Sequence, residues 1–374
     1  MPPPIPIAYS YYVCGGYIHM KLPLRRPVPA GWFLSFLSCL LILLLASCAD
    51  NTTATPEEQP RVNGFGTAAN HPHALLAFPN HVIVLATHYG LFRSQDDGAS
   101  WTEVAGGANQ LMEGLMTYSL TSSPPDNQRI YVATQLATKD HKGTLGLYTS
   151  GDQGRTWKLS ASEESLGTIY LAQAGNENPD QVFVYLNALG PLGLKMSMDN
   201  GQHFSSTGAL PFGDVAALLA LPDMPGQLLA SSSNGLARSQ DGGIHWELMK
   251  GIKGGIFGLT TAGPHSPIYA WGDAGVYRSS DGGKTFTLVY TQSALNSLTV
   301  SPTQPQTLYG KTGTAIYRST DGGQSWTRLP SIKGNLYNVV ADPNDPAQVY
   351  LSLSYPTEVH RFRPSGWTSL TPKP

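Results

Sequence analysis

Cysteine is nearly absent: the 374-residue chain has three, Cys14, Cys39 and Cys48, all near its start. Everything after Cys48 can close no disulfide within itself and must be stable by packing alone. Charge is also scarce. Only 13% of residues are charged, with 23 Lys and Arg against 25 Asp and Glu. That balance excludes the basic footprint of a nucleic-acid binder. No helical period persists along the body of the chain, and neither a phosphate-binding Gly-rich loop nor a nucleophile elbow is present. The apolar run Trp32–Ala46 has 15 residues, short of the roughly 20 a spanning helix needs. What is plentiful is glycine (40) and proline (29), the composition of many short strands joined by many turns.

One phrase recurs through this background. SQDDGASW (Ser94–Trp101), SGDQGRTW (Ser150–Trp157), SMDNGQHF (Ser197–Phe204), SQDGGIHW (Ser239–Trp246), SSDGGKTF (Ser279–Phe286) and STDGGQSW (Ser319–Trp326) all fit S-x-D-x-G-x-x-[WF]. Their aspartates, Asp96, Asp152, Asp199, Asp241, Asp281 and Asp321, are spaced by 56, 47, 42, 40 and 40 residues. A period near 40 fits one four-stranded propeller blade per repeat. A seventh unit, 335–370, keeps Gly366 and Trp367 but has lost the aspartate. The expected fold is therefore all-β, a single seven-bladed propeller of four-stranded blades. The blades run over 72–105, 115–160, 166–208, 213–250, 255–290, 294–330 and 335–371. Residues 61–70 are candidates for an extra strand that helps close the ring.

The phrase sits at the hairpin between the third and fourth strands of each unit. Its Asp can accept backbone N–H bonds that the ladder leaves unmade. Gly98, Gly154, Gly201, Gly243, Gly283 and Gly323 can take φ > 0 without Cβ strain. Trp101, Trp157, Phe204, Trp246, Phe286 and Trp326 bury an apolar face as the last strand begins. These are structural roles, and they commit the polar residues of the phrase to the turn.

The phrase resembles the Asp-box, or BNR repeat, of β-propellers. That repeat occurs in sialidases, xyloglucan-cleaving glycosidases, sortilin-type receptors and the photosystem II stability/assembly factor family. The resemblance spans about Ala74 to Leu370 and is closest to the assembly factors, because the chain has room for one propeller. It implies a ligand site on the face opposite the boxes. The scarcity of basic residues, 23 Lys and Arg in all, departs from the basic patch associated with that family.

The N-terminal region reads differently. Lys21, Arg25 and Arg26 precede the apolar run, which ends in LASC (Leu45–Cys48). This resembles a signal peptide with a bacterial lipobox, and the resemblance implies cleavage before Cys48 and its acylation. Met20 is the better start of such a signal. The expected organisation is a signal peptide over 1–47, a lipid-anchored polar tether over 48–61, and the propeller over 62–374. Loss of the three basic residues leaves 20 against 25 acidic ones, a balance of −5. The expected location is the cell membrane, lipid-anchored and facing the extracytoplasmic side.

Catalytic constellations are hard to assemble. A sialidase needs an arginine cluster. Arg93, Arg238, Arg278 and Arg318 instead repeat just before boxes, Arg155 and Arg328 lie in or after them, and Arg61, Arg129, Arg361 and Arg363 remain. A xyloglucanase-like enzyme needs two carboxylates across one cleft; Glu113, Glu163, Glu164, Asp214 and Asp273 are the loop candidates. His71 and His73 form an H-x-H pair near His81 and His88, with no Cys or Asp to complete a set, so the reading is surface histidines and no metal, cofactor or catalytic residue. The expected binding face is the blade-2 insertion Gln135–Gly146, with Lys139, Asp140, His141 and Lys142 at its tip, together with Asp214, Asp273 and aromatics near the rim: Tyr89, Phe212, Phe257, Trp271, Tyr337 and Tyr355. The expected function is a monomeric binding or assembly scaffold for a protein, peptide or glycan; the alternative is an extracytoplasmic glycoside hydrolase.

Overall fold

The computed structural model describes Phe65 and residues 70–292 and 295–372. The chain divides after Thr55, so all of these belong to its second unit. The proposed signal, Cys48 and the tether lie outside the described residues.

Seven four-stranded antiparallel sheets follow one another along the sequence, each a meander in chain order. The first runs through Pro72–Ala77, Ile83–Thr87, Leu91–Ser94 and Thr102–Ala105, and the last through Asn335–Ala341, Val349–Ser354, Glu358–Arg363 and Gly366–Ser369. The first strands of successive blades adjoin one another, and the ring closes where the first strand of blade 7 meets that of blade 1. The expected seven-bladed, all-β architecture is therefore present.

The hydrophobic pattern explains the layering. Second strands such as IVLAT in blade 1, VFVY in blade 3 and VYLSLS in blade 7 are buried at every position. Neighbouring blades cover both of their faces, so continuous apolar runs replace the alternation of a half-exposed strand. The short outer strands Glu247–Leu248 and Thr327–Arg328 are exposed throughout.

Each box builds the same small network. In blade 6, the Ser319 hydroxyl donates to Asp321 Oδ1 (2.8 Å) and accepts from the Gly323 amide (2.9 Å). Asp321 then accepts the Ser325 amide (3.0 Å) and hydroxyl (2.5 Å). In blades 3 and 4 the ring of His203 or His245 replaces that hydroxyl, with Nδ1 2.6 Å from the box carboxylate. The sequence pattern predicts left-handed backbone at the box glycine alone. Two successive residues adopt it: Asp97–Gly98 at φ 63° and 87°, and Gly322–Gly323 at 73° and 89°. This explains why Asp, Gln, Asn or Gly precedes the glycine, because Asn and Asp enter this region more readily than most residues.

The networks set an acid limit. Burial opposes ionisation of Asp281 and Asp321, but hydrogen bonds to the carboxylates outweigh it and hold both at about 2. At Asp241 the His245 amide and then its ring lead, again giving about 2. Asp96, Asp152 and Asp199 are also depressed. An unfolded aspartate titrates near 3.9. The unfolded chain therefore takes up the extra protons, and the stabilisation is full above pH ~4 and is lost as pH falls toward ~2. The melting temperature is expected to fall steeply across that window, and less steeply in an Asp281→Asn/Asp321→Asn variant. An unchanged slope would contradict the assignment.

The boxes also face their neighbours. The Arg93 guanidinium in blade 1 donates to the Gln153 carbonyl in the blade-2 box (2.9 Å). Tyr131 in blade 2 donates to Pro179 O (2.9 Å) at the next blade, and its hydroxyl lies 3.1 Å from Asn200 Oδ1 in that blade's box. Tyr309 in blade 6 reaches Pro346 O in blade 7 (2.8 Å). At the closure, blade 7 sends Arg361 and Tyr350 onto Asp97 of the blade-1 box. Arg361 thus has the same kind of role as Arg93, holding the box of the neighbouring blade.

Closure uses no exchanged strand among the described residues: blades 1 and 7 are each one continuous stretch. Phe65, Leu75, Ile83, Leu85, Phe92, Trp101, Tyr350, Val359 and Leu370 pack as one cluster across the seam. Trp101 Nε1 donates to Leu370 O (2.9 Å), tying the first box to the last strand.

Candidate functional site

The two ends of the ring differ. The residue after the box aspartate donates to the turn between the first and second strands in blades 1 to 4 and 6, as in Asp97 N to His81 O (2.9 Å) and Gly322 N to Gln306 O (2.9 Å). Box turns and first-to-second turns therefore share one end. By the meander, second-to-third loops and interblade connections occupy the other, and the residues of the expected binding face lie there.

Most of that expected face is committed to its own scaffold. Asp214 Oδ2 accepts the Ser233 amide (2.9 Å), and Asp273 Oδ2 accepts the Gly255 amide (2.7 Å). Each carboxylate ties the interblade connection to the second-to-third loop of its blade. Glu113 accepts the Asn109 amide (2.7 Å) and pairs with Lys142 (2.8 Å). Glu163 opens the single-turn helix Glu163–Leu166 and accepts from Thr168 (3.3 Å). The blade-2 insertion is pinned: Lys142 and Gly143 donate their amides to Glu113 O (3.0 Å each), and His141 Nδ1 lies 2.9 Å from Gly143 O. Lys139 and Asp140 remain exposed at its tip.

The aromatics divide. Phe212 is buried in the core between blades 3 and 4. Trp271 lies across Gly258, where an added Cβ would come within 2.1 Å of the indole. It packs into its blade and is no displayed platform. Phe257 (46% exposed), Tyr89 (38%) and Tyr355 (53%) do face solvent.

The histidines depart most from expectation. His81 is exposed in the first-to-second turn of blade 1, at the box end. His71, His73 and His88 come together at the opposite end, half-buried, with one nitrogen from each within 4.8 Å of the others. His71 immediately precedes the first strand of blade 1 and His73 is its second residue. The His88 amide, at the end of the second strand, donates to His71 O (2.9 Å). A bulge falls at His73, between the pairs Pro72–Thr87 and Ala74–Ala86. Ring centroids lie 4.6 Å apart for His71 and His73 and 4.9 Å for His71 and His88. A tyrosine flanks each imidazole: Tyr355 4.8 Å from His71, Tyr337 6.4 Å from His73, and Tyr89 4.5 Å from His88. Burial, then the neighbouring His71 and His88, push His73 down to about 3; burial, then His71, lower His88. Both are neutral imidazoles at physiological pH. The reading of four surface histidines is thus corrected. The signal missed was strand register, which brings position 88 to position 71.

The arginines form no carboxylate-gripping cluster among the described residues. Arg129 pairs with Asp180 (3.1 Å), Arg361 with Asp97, and Arg363 donates to Gln348 (2.9 Å). A cavity of about 750 Å³ opens at the box end of the ring, lined by Leu76, Leu120, Gln173, Leu219, Leu259 and Pro264 among others. No carboxylate pair is set across it: Asp223, its acidic lining residue, lies 2.7 Å from His265.

Comparison with known proteins places this geometry. The family model for the BNR/Asp-box repeat matches residues 317–328, the blade-6 box. The chain thus carries the Asp-box repeat on a seven-bladed β-propeller fold. No match was found among curated proteins. The fold is similar to that of the GH74 enzyme of Niastella koreensis (TM-score 0.64, 15% identity), covering 80% of this chain and 53% of that one. It is also similar to the GH74 xyloglucanase of Xanthomonas campestris (TM-score 0.62, 16% identity), with 82% and 55% covered. The structure of YCF48 bound to D1 peptide matches at TM-score 0.58 and 15% identity, over 80% of this chain and 95% of that one. The propeller thus spans about half the length of the GH74 enzymes and nearly the whole of YCF48. At these identities the likeness is one of fold.

Proposed function

We propose that this Asp-box propeller is a binding or assembly scaffold that recognises a protein, peptide or glycan through the end opposite its boxes. The observation that carries the reading is the commitment of its acids. Every box aspartate is held in its turn, and Asp214 and Asp273, the best hydrolase candidates, each accept a backbone N–H from a neighbouring loop of the same blade. Carboxylates so held lack the free, mismatched pair that glycoside hydrolysis uses. Exposed Phe257, Tyr89 and Tyr355 on that end suit recognition, since a few aromatic anchors carry most of a typical interface. A single-propeller relative that holds a peptide supports the same reading. The GH74 likeness favours the second reading, an extracytoplasmic glycoside hydrolase.

Screening the purified protein on peptide and glycan arrays, and against xyloglucan and sialosides for turnover, separates the two. Saturable binding is expected, weakened about tenfold or more by Phe257→Ala or Tyr355→Ala, the loss of about 1.4 kcal/mol or more. Turnover that disappears in Asp214→Asn or Asp273→Asn would replace the scaffold with the hydrolase.

The proposed setting is the outer face of the cell membrane, through acylated Cys48. Stable anchoring takes more than one acyl chain. Cys48→Ala is expected to abolish lipid labelling and to leave the protein uncut or released. Unchanged labelling would refute the anchor.

A further inference from the structure

We propose that His71, His73 and His88 form a binding site for one late first-row transition-metal ion, at the end of blade 1 opposite the boxes. The inference is independent of the scaffold reading: it concerns what these imidazoles do, whatever the propeller binds.

Three observations carry it. The first is convergence: three imidazole nitrogens, one per side chain, lie within 4.8 Å of one another. An ion held at ~2.1 Å in tetrahedral geometry needs them about 3.4 Å apart. Imidazole χ2 wells are broad, so modest ring rotation supplies the difference. The second is the scaffold. The His88 amide bonds to His71 O, which fixes the two backbone segments together, and the bulge sets His73 apart from the regular ladder. Bulges commonly re-aim a side chain at a site. The third is an unmet need. His73 Nε2 is buried and makes no hydrogen bond in the structure. A buried polar atom without a partner is costly, and a metal ion would satisfy it.

The donor set indicates the ion. Imidazole donors suit zinc, copper and nickel. The Met116 thioether lies 3.2 Å from His88 Nδ1, so a soft donor borders the site. The ordinary affinity order of divalent ions at nitrogen donors ranks Cu²⁺ above Zn²⁺. Three protein nitrogens leave the fourth tetrahedral position open. The flanking Tyr89, Tyr337 and Tyr355 would surround whatever group entered it.

The test is calorimetric titration of the tag-free, chelator-treated protein with CuCl₂ and, separately, ZnCl₂. One ion per chain is expected, with Kd at or below about 10 µM, and saturating metal should raise the melting temperature. His73→Ala and His88→Gln should each weaken binding about tenfold or more, whereas a His203→Ala/His245→Ala variant should bind as wild type. Melting without metal checks that each variant folds; if His73→Ala does not, the half-buried His88→Gln decides. No saturable binding at about 100 µM metal, or undiminished binding by the folded variants, would overturn the site.

Discussion

Trp101→Ala should cost roughly 3–5 kcal/mol, the range for deleting a buried aromatic. In a domain of this size that is a drop in melting temperature of roughly 5–8 °C. Among the box aromatics this one is distinctive. Trp157, Trp246 and Trp326 are half-buried and bond back to their own box glycine at 2.9–3.0 Å. Trp101 is 9% exposed, lies 5.3 Å from Phe65, and donates across the seam to Leu370 O. Its removal opens a cavity at the joint where the two ends of the propeller meet and leaves a carbonyl of the last blade without its partner. Paired melts of Trp101→Ala and Trp326→Ala check the ranking. A larger loss at Trp326 would mean that the seam does not limit stability.

Asp97→Ala should cost roughly 3 kcal/mol, more than the ~1–2 kcal/mol expected for Asp96→Ala. The order is counter-intuitive, because Asp96 is the repeated box residue and Asp97 fills a variable position. Asp96 closes a local turn at the surface. Asp97 accepts from Tyr350 and pairs with Arg361, whose side chain is only 10% exposed. Truncating it strands a buried guanidinium and a buried phenol. Asp97 itself keeps 28% of its side chain exposed, which holds the estimate at the low end of the range for buried pairs. Asp97→Asn keeps an acceptor for Tyr350 and should recover part of the loss. Chemical denaturation of the three variants measures the order; Asp96→Ala as the most harmful would contradict it.

These two residues also mark what was legible in the sequence. The boxes were readable because turn chemistry is local: Ser, Asp and Gly within five residues specify the same network wherever they occur. Blade 1 was expected over 72–105 and its strands run from Pro72 to Ala105. Blade 7 was placed at 335 without an aspartate, and its first strand begins at Asn335. What could not be read was anything made by two blades, or by two strands out of step. The Arg361–Asp97 pair joins positions 264 apart, and no spacing rule links them. His88 completes the histidine cluster only through its strand's register with the segment before Pro72. Trp271 looked like a rim platform because its position is near a loop; the glycine across the strand turns it into packing.

The central claim is that the boxes hold the fold while recognition belongs to the opposite end. The most direct test measures melting temperature and array-ligand binding together for Asp321→Ala and Phe257→Ala. The account predicts a crossed result: Asp321→Ala melts lower yet binds normally below its transition, and Phe257→Ala melts as wild type yet binds weakly. Asp321→Ala with an intact melt and lost binding would contradict it.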